Sequence, residues 1–338
     1  MTAWSRIIGV VAKGNGAEIV HRTLAQALPG YEVRSYPQAW EYWPPLLRGL
    51  RASDSTLVHS PPDHAVFACL SRTPLVITFH NYVLDRAMRR HSTAVQRVHY
   101  ATDLRWFTRA ALRRAAAVTA VSDFTARLVR EDMRFAGPIE VIPNGVDVEQ
   151  FRPGNTGAGS GPLQVLFSGN LTRRKGAHLL PEIARLAGPD VQIHYTTGAR
   201  IGQTDPRWAN LHSVGRVPHV QMPELYRRFD VLLLPTVREG MSLALLEAMA
   251  SGLAVVTSDA ASNPELVVDG RGGYLCPVDE AEAYAAALRK LAANRATVAD
   301  MGLHNRRVVV ERYNRNAMVD KYKNLFSRVL SGESVSRF

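Results

Sequence analysis

Cysteine is scarce in this chain: only Cys69 and Cys276, far apart and each in apolar surroundings. That argues against a disulfide framework or a thiolate metal site and leaves two buried thiols. No apolar run approaches the roughly 18 residues needed to span a bilayer. The leading MTAWSRIIGVVAKG lacks the charged start, long apolar stretch and small-residue cleavage site of a signal peptide, so a cytoplasmic protein is expected. Acids are also short, 30 against 41 Lys and Arg, for a net charge of +11. Such an excess suits nucleic acid, anionic lipid or phosphorylated small molecules. No Lys/Arg run, zinc-finger spacing or RNA-binding signature is present, so nucleic acid is not an expected partner. D-x-D, G-x-S-x-G, H-E-x-x-H and Walker A patterns are all missing, and no metal site is expected.

What is present is an α/β alternation. At 338 residues and 46% hydrophobic content the chain can fill two cores. RIIGVV, YEVRSY, TLVHS, PLVITFH, AAVTAVS and IEVIPNG read as strands, and the apolar runs without polar alternation among them suggest strands buried on both faces of a parallel sheet. GNTGAGSGP (Gly154–Pro162) has the composition of a flexible linker. The alternation then restarts with LQVLFSGN, a helix from about Ala177 to Leu186, VQIHYTTG, the helix MPELYRRF, DVLLLPT and AVVTSD, and reads as helical after Asp279. Two Rossmann-like domains follow: residues 1–153, and residues 154–314. Ligands of such sheets bind at the carboxyl ends of the strands, so a cleft between facing domains is expected.

Four stretches carry chemistry. In KGNGAE a dinucleotide fingerprint needs a third glycine where Ile19 stands, so an NAD site is not supported; Gly16 still opens a helix whose amides suit an anion, or simply a tight turn. In FSGNLTRRKGAHLL, Arg173, Arg174 and Lys175 crowd one turn before Gly176 and call for an anionic partner such as phosphate. In REGMSLALLEAMASG, Gly240, Met241, Ser242 and Leu243 are expected to start a helix that offers free amides. Glu239 precedes it, and Glu247 lies a turn inside on the Leu243 face. On a continuous helix eight residues would rise about 12 Å, too far for a hydrolase pair on one bond. The two acids instead suit two parts of one ligand, a sugar and a ribose diol. His80 closes PLVITFH at the expected ligand-binding edge.

Two stretches bear on other partners. Between Leu84 and Arg114 stand eight arginines (86, 89, 90, 97, 105, 109, 113 and 114) against Asp85 and Asp103, interleaved with Tyr100, Trp106 and Phe107. That pattern fits the surface of an anionic membrane, or a solvated face with a few core aromatics. AWEYWPP (Ala39–Pro45) brings Trp40, Tyr42 and Trp43, followed later by Tyr82, as rings for sugar stacking or for the core.

These stretches, in this order, resemble the retaining glycosyltransferases of family 4, and the resemblance covers nearly the whole chain. It rests on NGAEIVHRTLAQAL, VITFH, AVTAVSDFTARLV, VIPNGVDVEQFRP, SGNLTRRKG, LYRRFDVLLLP, the Glu239/Glu247 E-x7-E stretch and NPELVVDGRGGYLCP. It implies a GT-B fold, two Rossmann-like domains facing across a cleft, with the last helix (about 315–338) crossing back onto the first. It implies a nucleotide diphosphate sugar as donor, UDP favoured over GDP, no metal cofactor, and a glycan or lipid-linked glycan as acceptor. A place on the inner face of the cell membrane goes with that acceptor. Glu247 then looks like the acid at the ribose, and Glu239 like the acid at the donor sugar. The Gly240–Leu243 amides look placed for diphosphate or sugar, Lys175 for phosphate, Gly16 for the same diphosphate, and His80 for the sugar. Asn170 stands where the family usually has an arginine, leaving Arg173 or Arg174 to substitute. A non-hydrolysing sugar-nucleotide epimerase and a non-catalytic nucleotide-sugar-binding subunit are the competing readings.

Overall fold

The computed structural model describes residues 6–85, 88, 97, 99, 100, 102–154, 161–197 and 208–333. Most of the linker stretch, Arg86, Arg89 and Arg90, and the chain end after residue 333 lie outside them. Two compact units form: Met1–Gly145 with Arg315–Phe338, and Val146–Asn314.

In the first unit, β1 (Ile7–Ala12), β2 (Tyr31–Tyr36), β3 (Leu57–Ser60), β4 (Leu75–Phe79), β5 (Ala117–Ala120) and β6 (Glu140–Val141) pair in parallel, in the order β2-β1-β3-β4-β5-β6. Alternate side chains serve opposite faces. Ile8, Val10, Leu75, Ile77 and Phe79 join Ala111 and Val129 from the helices α2 (Asp103–Arg114) and α3 (Asp123–Met133). Ile7, Leu57 and Val76 join Val20 and Leu24 of α1 (Gly16–Ala27) on the other face. The final helix (Arg315–Ser331) completes that face with Met318, Val319, Tyr322, Leu325 and Phe326. Burial of Met318, Leu325 and Phe326 is worth about 1.5–3 kcal/mol each.

In the second unit, β7 (Leu163–Phe167), β8 (Val191–Thr196), β9 (His212–Gly215), β10 (Val231–Leu234), β11 (Ala254–Ser258) and β12 (Gly273–Cys276) are again parallel, in the order β12-β11-β10-β7-β8-β9. The order reverses between β7 and β10, and such a switch point is where α/β sheets take their ligands.

Several expectations shift. β9 and β12 were not among the strand-like runs: HSVG is a short, half-exposed edge and GYLC carries a glycine, so neither shows an apolar signal. The Ala177–Leu186 helix divides into a 3₁₀ turn, Ala177–Leu179, and α4 (Leu180–Ala187), with Pro181 tolerated in the first turn. The helix in MPELYRRF spans only Met222–Tyr226. The units part at 145/146, not 153/154, because the intervening segment is bonded into the second: Arg306 reaches the Phe151 carbonyl at 2.7 Å, and Val146 bridges Asn314. Both cysteines are buried free thiols. Among the described residues, no helix is long and apolar enough to cross a membrane.

Candidate functional site

The loops leaving β7 and β10 carry the basic turn and the first acid of the E-x7-E stretch. Because those strands are neighbours, the loops meet. Arg173–Lys175 form a 3₁₀ turn capped by Thr172 and closed by Gly176 at φ 74°. A β-carbon on Gly176 would lie 2.0 Å from the Pro235 carbonyl oxygen, so only glycine lets this turn sit against the loop after β10. The Val237 amide donates to the Arg174 carbonyl at 2.8 Å, and Thr236 Oγ1 lies 3.0 Å from the same oxygen.

Glu239 supplies an anion to two of the three cations, Lys175 and Arg174. Its Oε1 accepts from Lys175 Nζ at 2.6 Å, from the Thr236 hydroxyl at 2.9 Å and from Arg174 Nη1 at 3.3 Å. The Lys175 and Glu239 side chains are only 14% and 10% exposed. Burial alone would raise the Glu239 pKa, but the Lys175 and Arg174 charges outweigh it and hold the carboxyl below its ordinary value. Arg174 also donates to the Arg238 carbonyl at 2.7 Å, while Arg173 is exposed.

The helix α5 (Leu243–Ala250) starts later than expected. Ser242 is its cap, its hydroxyl accepting from the Leu245 amide, so Gly240 and Met241 precede the first turn. Glu239 therefore lies outside the helix, and eight residues of continuous helical rise do not separate the two acids. Met241 and Ser242 are buried, which leaves backbone as what this segment can present.

Glu247, inside α5, is fully engaged. Oε1 takes a hydrogen bond from His219 Nε2 at 2.8 Å, and Oε2 lies 3.2 Å from the Tyr226 hydroxyl, itself 3.2 Å from Ser168 Oγ. The bond to Glu247 is the largest influence on His219 and raises its pKa. Burial, then the Glu247 charge, drives the Tyr226 hydroxyl well above its usual value. Thr236, His219, Tyr226 and Ser168 escaped the sequence reading because their partners are reached through sheet neighbours, with no fixed spacing to betray them.

In the first unit, Gly16 is exposed at the start of α1. Asn15 caps the helix by accepting from the Glu18 amide at 2.9 Å, and Glu18 takes the Gly14 amide at 2.6 Å. His80 follows β4 rather than ending it. Among the described residues neither of its buried ring nitrogens has a hydrogen-bond partner, and burial lowers its pKa to about 4.

The four candidate acceptor rings separate. Tyr42 and Trp43 are 73% and 72% exposed, while Trp40 packs against the core. Tyr82 is a correction: it is 2% exposed and its hydroxyl binds Asp132, so it is a core residue. Beside the exposed rings, burial and mutual repulsion push the Glu41 carboxyl up to about 7, and burial pushes Asp63 up to about 6. Within the basic stretch, Arg105 is bound to Asp132 and Arg114 to the carbonyls of Leu70, Ser71 and Thr73. Arg97, Arg109, Arg113 and Trp106 are exposed. Among the described residues, no group of three or more His, Cys, Asp or Glu side chains is placed to hold a metal ion.

Two doubly wound parallel sheets in one chain define the GT-B class of α/β proteins. Sucrose-phosphate synthase from Thermosynechococcus elongatus shares the fold at a TM-score of 0.79 and 18% identity, over 97% of this chain and 100% of that one. HepE of Anabaena, solved in complex with UDP and glucose, superposes at 0.77 and 18% identity over 96% and 99%. The profile described as Glycosyltransferase Family 4 matches residues 10–150, and that described as Glycosyl transferases group 1 matches residues 162–294. The chain belongs to the family 4 glycosyltransferases. Among curated relatives, the D-inositol 3-phosphate glycosyltransferase of Arthrobacter sp. (strain FB24) is 32% identical over 48% of this chain and 44% of its own length. The phosphatidyl-myo-inositol mannosyltransferase of Mycobacterium tuberculosis is 37% identical over 50% and 47%. The chain thus matches about half the length of these two relatives.

Proposed function

We propose that this chain is a retaining glycosyltransferase that moves a hexose-type sugar from a nucleotide diphosphate sugar, UDP in preference to GDP, to a glycan or lipid-linked glycan. The observation that carries the reading is the Lys175–Glu239 pair at the switch point of the second sheet, 2.6 Å apart. Lys175, helped by Arg174, stabilises the departing diphosphate, with backbone before α5 adding donors. Glu239 accepts from the donor sugar's hydroxyls, and Glu247 accepts from the ribose diol, displacing His219. Gly16 and His80 take the roles the resemblance gives them, an amide at the diphosphate and a group beside the sugar. The leaving phosphate takes the acceptor's proton as the acceptor attacks from the same face, which retains configuration without a covalent intermediate. HepE's complexes with UDP and with UDP-glucose support a uridine donor. The names of the mycobacterial mannosyltransferase and of a putative colanic acid glycosyltransferase support a lipid or polysaccharide acceptor. Exposed Tyr42 and Trp43 suit stacking against acceptor sugars, and exposed Trp106, Arg109 and Arg113 suit an anionic membrane surface. The test is nucleotide release from UDP- and GDP-sugars with and without candidate acceptors, with the product anomer read by NMR. Acceptor-dependent release with retained configuration supports the reading; epimer formation from donor alone contradicts it.

A further inference from the structure

A chain of buried hydrogen bonds runs through the first unit beside His80. The Tyr31 hydroxyl lies 2.8 Å from His21 Nδ1 and 2.7 Å from His59 Nδ1. His59 Nε2 is 2.7 Å from Thr78 Oγ1, which is 2.6 Å from Thr119 Oγ1, and Thr119 donates to the Ile77 carbonyl at 3.3 Å. His21, His59, Thr78 and Thr119 are each 0% exposed. Gly9 makes room: a β-carbon there would lie 2.6 Å from the Tyr31 hydroxyl and 2.8 Å from His21 Nδ1. The chain is a built feature that the transfer reaction as described does not use.

Its direction follows from its end. Taking the Thr119 hydroxyl as donor to the Ile77 carbonyl, Thr119 accepts from Thr78. With its one proton spent, Thr78 accepts from His59 Nε2–H. Burial holds His59 far below its usual pKa, so the ring is neutral and Nδ1 is a bare acceptor. Tyr31 donates to it and so must accept from His21 Nδ1–H. Burial keeps His21 neutral too, which leaves its Nε2 a lone-pair acceptor. Among the described residues that atom is buried without a partner, as are both nitrogens of His80, whose ring centroid is 5.7 Å from that of His21. Unpaired buried polar atoms are costly and rare.

We propose that His21 is a positioning residue for His80: locked as the Nδ1–H tautomer, it accepts the His80 N–H on Nε2 after a small ring rotation. That bond fixes the His80 tautomer and leaves its other nitrogen as an acceptor for a ligand hydroxyl. The inference rests on the reading of His80 as a site residue, and the Tyr31–His59–Thr78–Thr119 chain is what sets the acceptor. The final helix braces it, with the Tyr322 hydroxyl 3.3 Å from Thr78 Oγ1.

Long-range proton–nitrogen NMR on the ¹⁵N-labelled full chain distinguishes the two neutral tautomers of each ring. The expected result is Nδ1–H for His21, Nε2–H for His59 and a single tautomer for His80, which becomes mixed in Tyr31→Phe. Nε2–H on His21, or a His80 signal unchanged in Tyr31→Phe, overturns the proposal. With UDP-glucose as probe, kcat should fall tenfold or more in His21→Leu with KM unchanged. His21→Gln, which keeps an acceptor oxygen, should restore it to within threefold. Equal losses in both variants mean a merely structural role and also overturn it. If the wild-type chain does not turn over UDP-glucose, the donor reading fails, and the tautomer measurement still decides the His21 assignment.

Discussion

Lys175 and Glu239 neutralise one another in a place where neither meets much water, so each depends on the other for stability as well as for chemistry. Removing one partner of a buried pair costs about 3–5 kcal/mol, whereas replacing both is often neutral. Lys175→Ala should therefore lower both the melting temperature and turnover, the latter by about a hundredfold to a thousandfold. Lys175→Met with Glu239→Gln should recover most of the melting temperature and none of the turnover; calorimetric melts and initial rates check the separation. His219 gives a pH dependence. Glu247 raises its pKa, so imidazolium grips the carboxylate most firmly at low pH. That stabilising contribution is complete below the ordinary histidine value of about 6.5 and is lost as pH rises through the raised one. On the proposed function nucleotide displaces His219 from Glu247, so affinity should rise with pH across that window, and His219→Ala should flatten the profile in titrations at stepped pH. The sequence exposed Glu239, Glu247 and Lys175 because motif order and spacing mark them. His219, Tyr226 and Thr236 were not legible, since nothing across the 28-residue separation of His219 and Glu247 shows that the two side chains meet.

Among the elements, the strands announced themselves where they are buried on both faces, as IIGVVA, LVITF and VLLL are. The edge strands of the second sheet, β9 and β12, did not, because HSVG is polar and partly exposed and GYLC is four residues long with a glycine. The start of α5 was misplaced for a local reason: Ser242 competes for the cap and ends the irregular segment one residue before Leu243. A tight requirement falls on the turn before α4. Gly176→Ala would force a side chain into both a left-handed backbone and the Pro235 carbonyl, displacing Lys175 from Glu239. Loss of UDP binding with the remaining fold intact by circular dichroism is the expected outcome. The final helix is the other vulnerable element: Phe326→Ala, at a fully buried site, should destabilise the chain by about 3–5 kcal/mol in denaturant titrations.

For the whole molecule, the two doubly wound sheets were legible from alternation alone. The boundary was displaced because the linker composition begins eight residues after the contacts change units. The net charge of +11 includes arginines with internal duties, such as Arg105 and Arg114, so among the described residues the membrane reading narrows to the exposed Arg97, Trp106, Arg109 and Arg113. Binding to vesicles containing phosphatidylserine should weaken as salt rises, and Arg109→Glu with Arg113→Glu should weaken it further in co-sedimentation. The central claim, a nucleotide-sugar grip in the second unit, is tested most directly by calorimetric titration of UDP into the full chain and into Glu247→Ala. The account predicts saturable binding, weakened about 10- to 100-fold in the variant. No binding of UDP or GDP, or equal affinity in the two proteins, would contradict it.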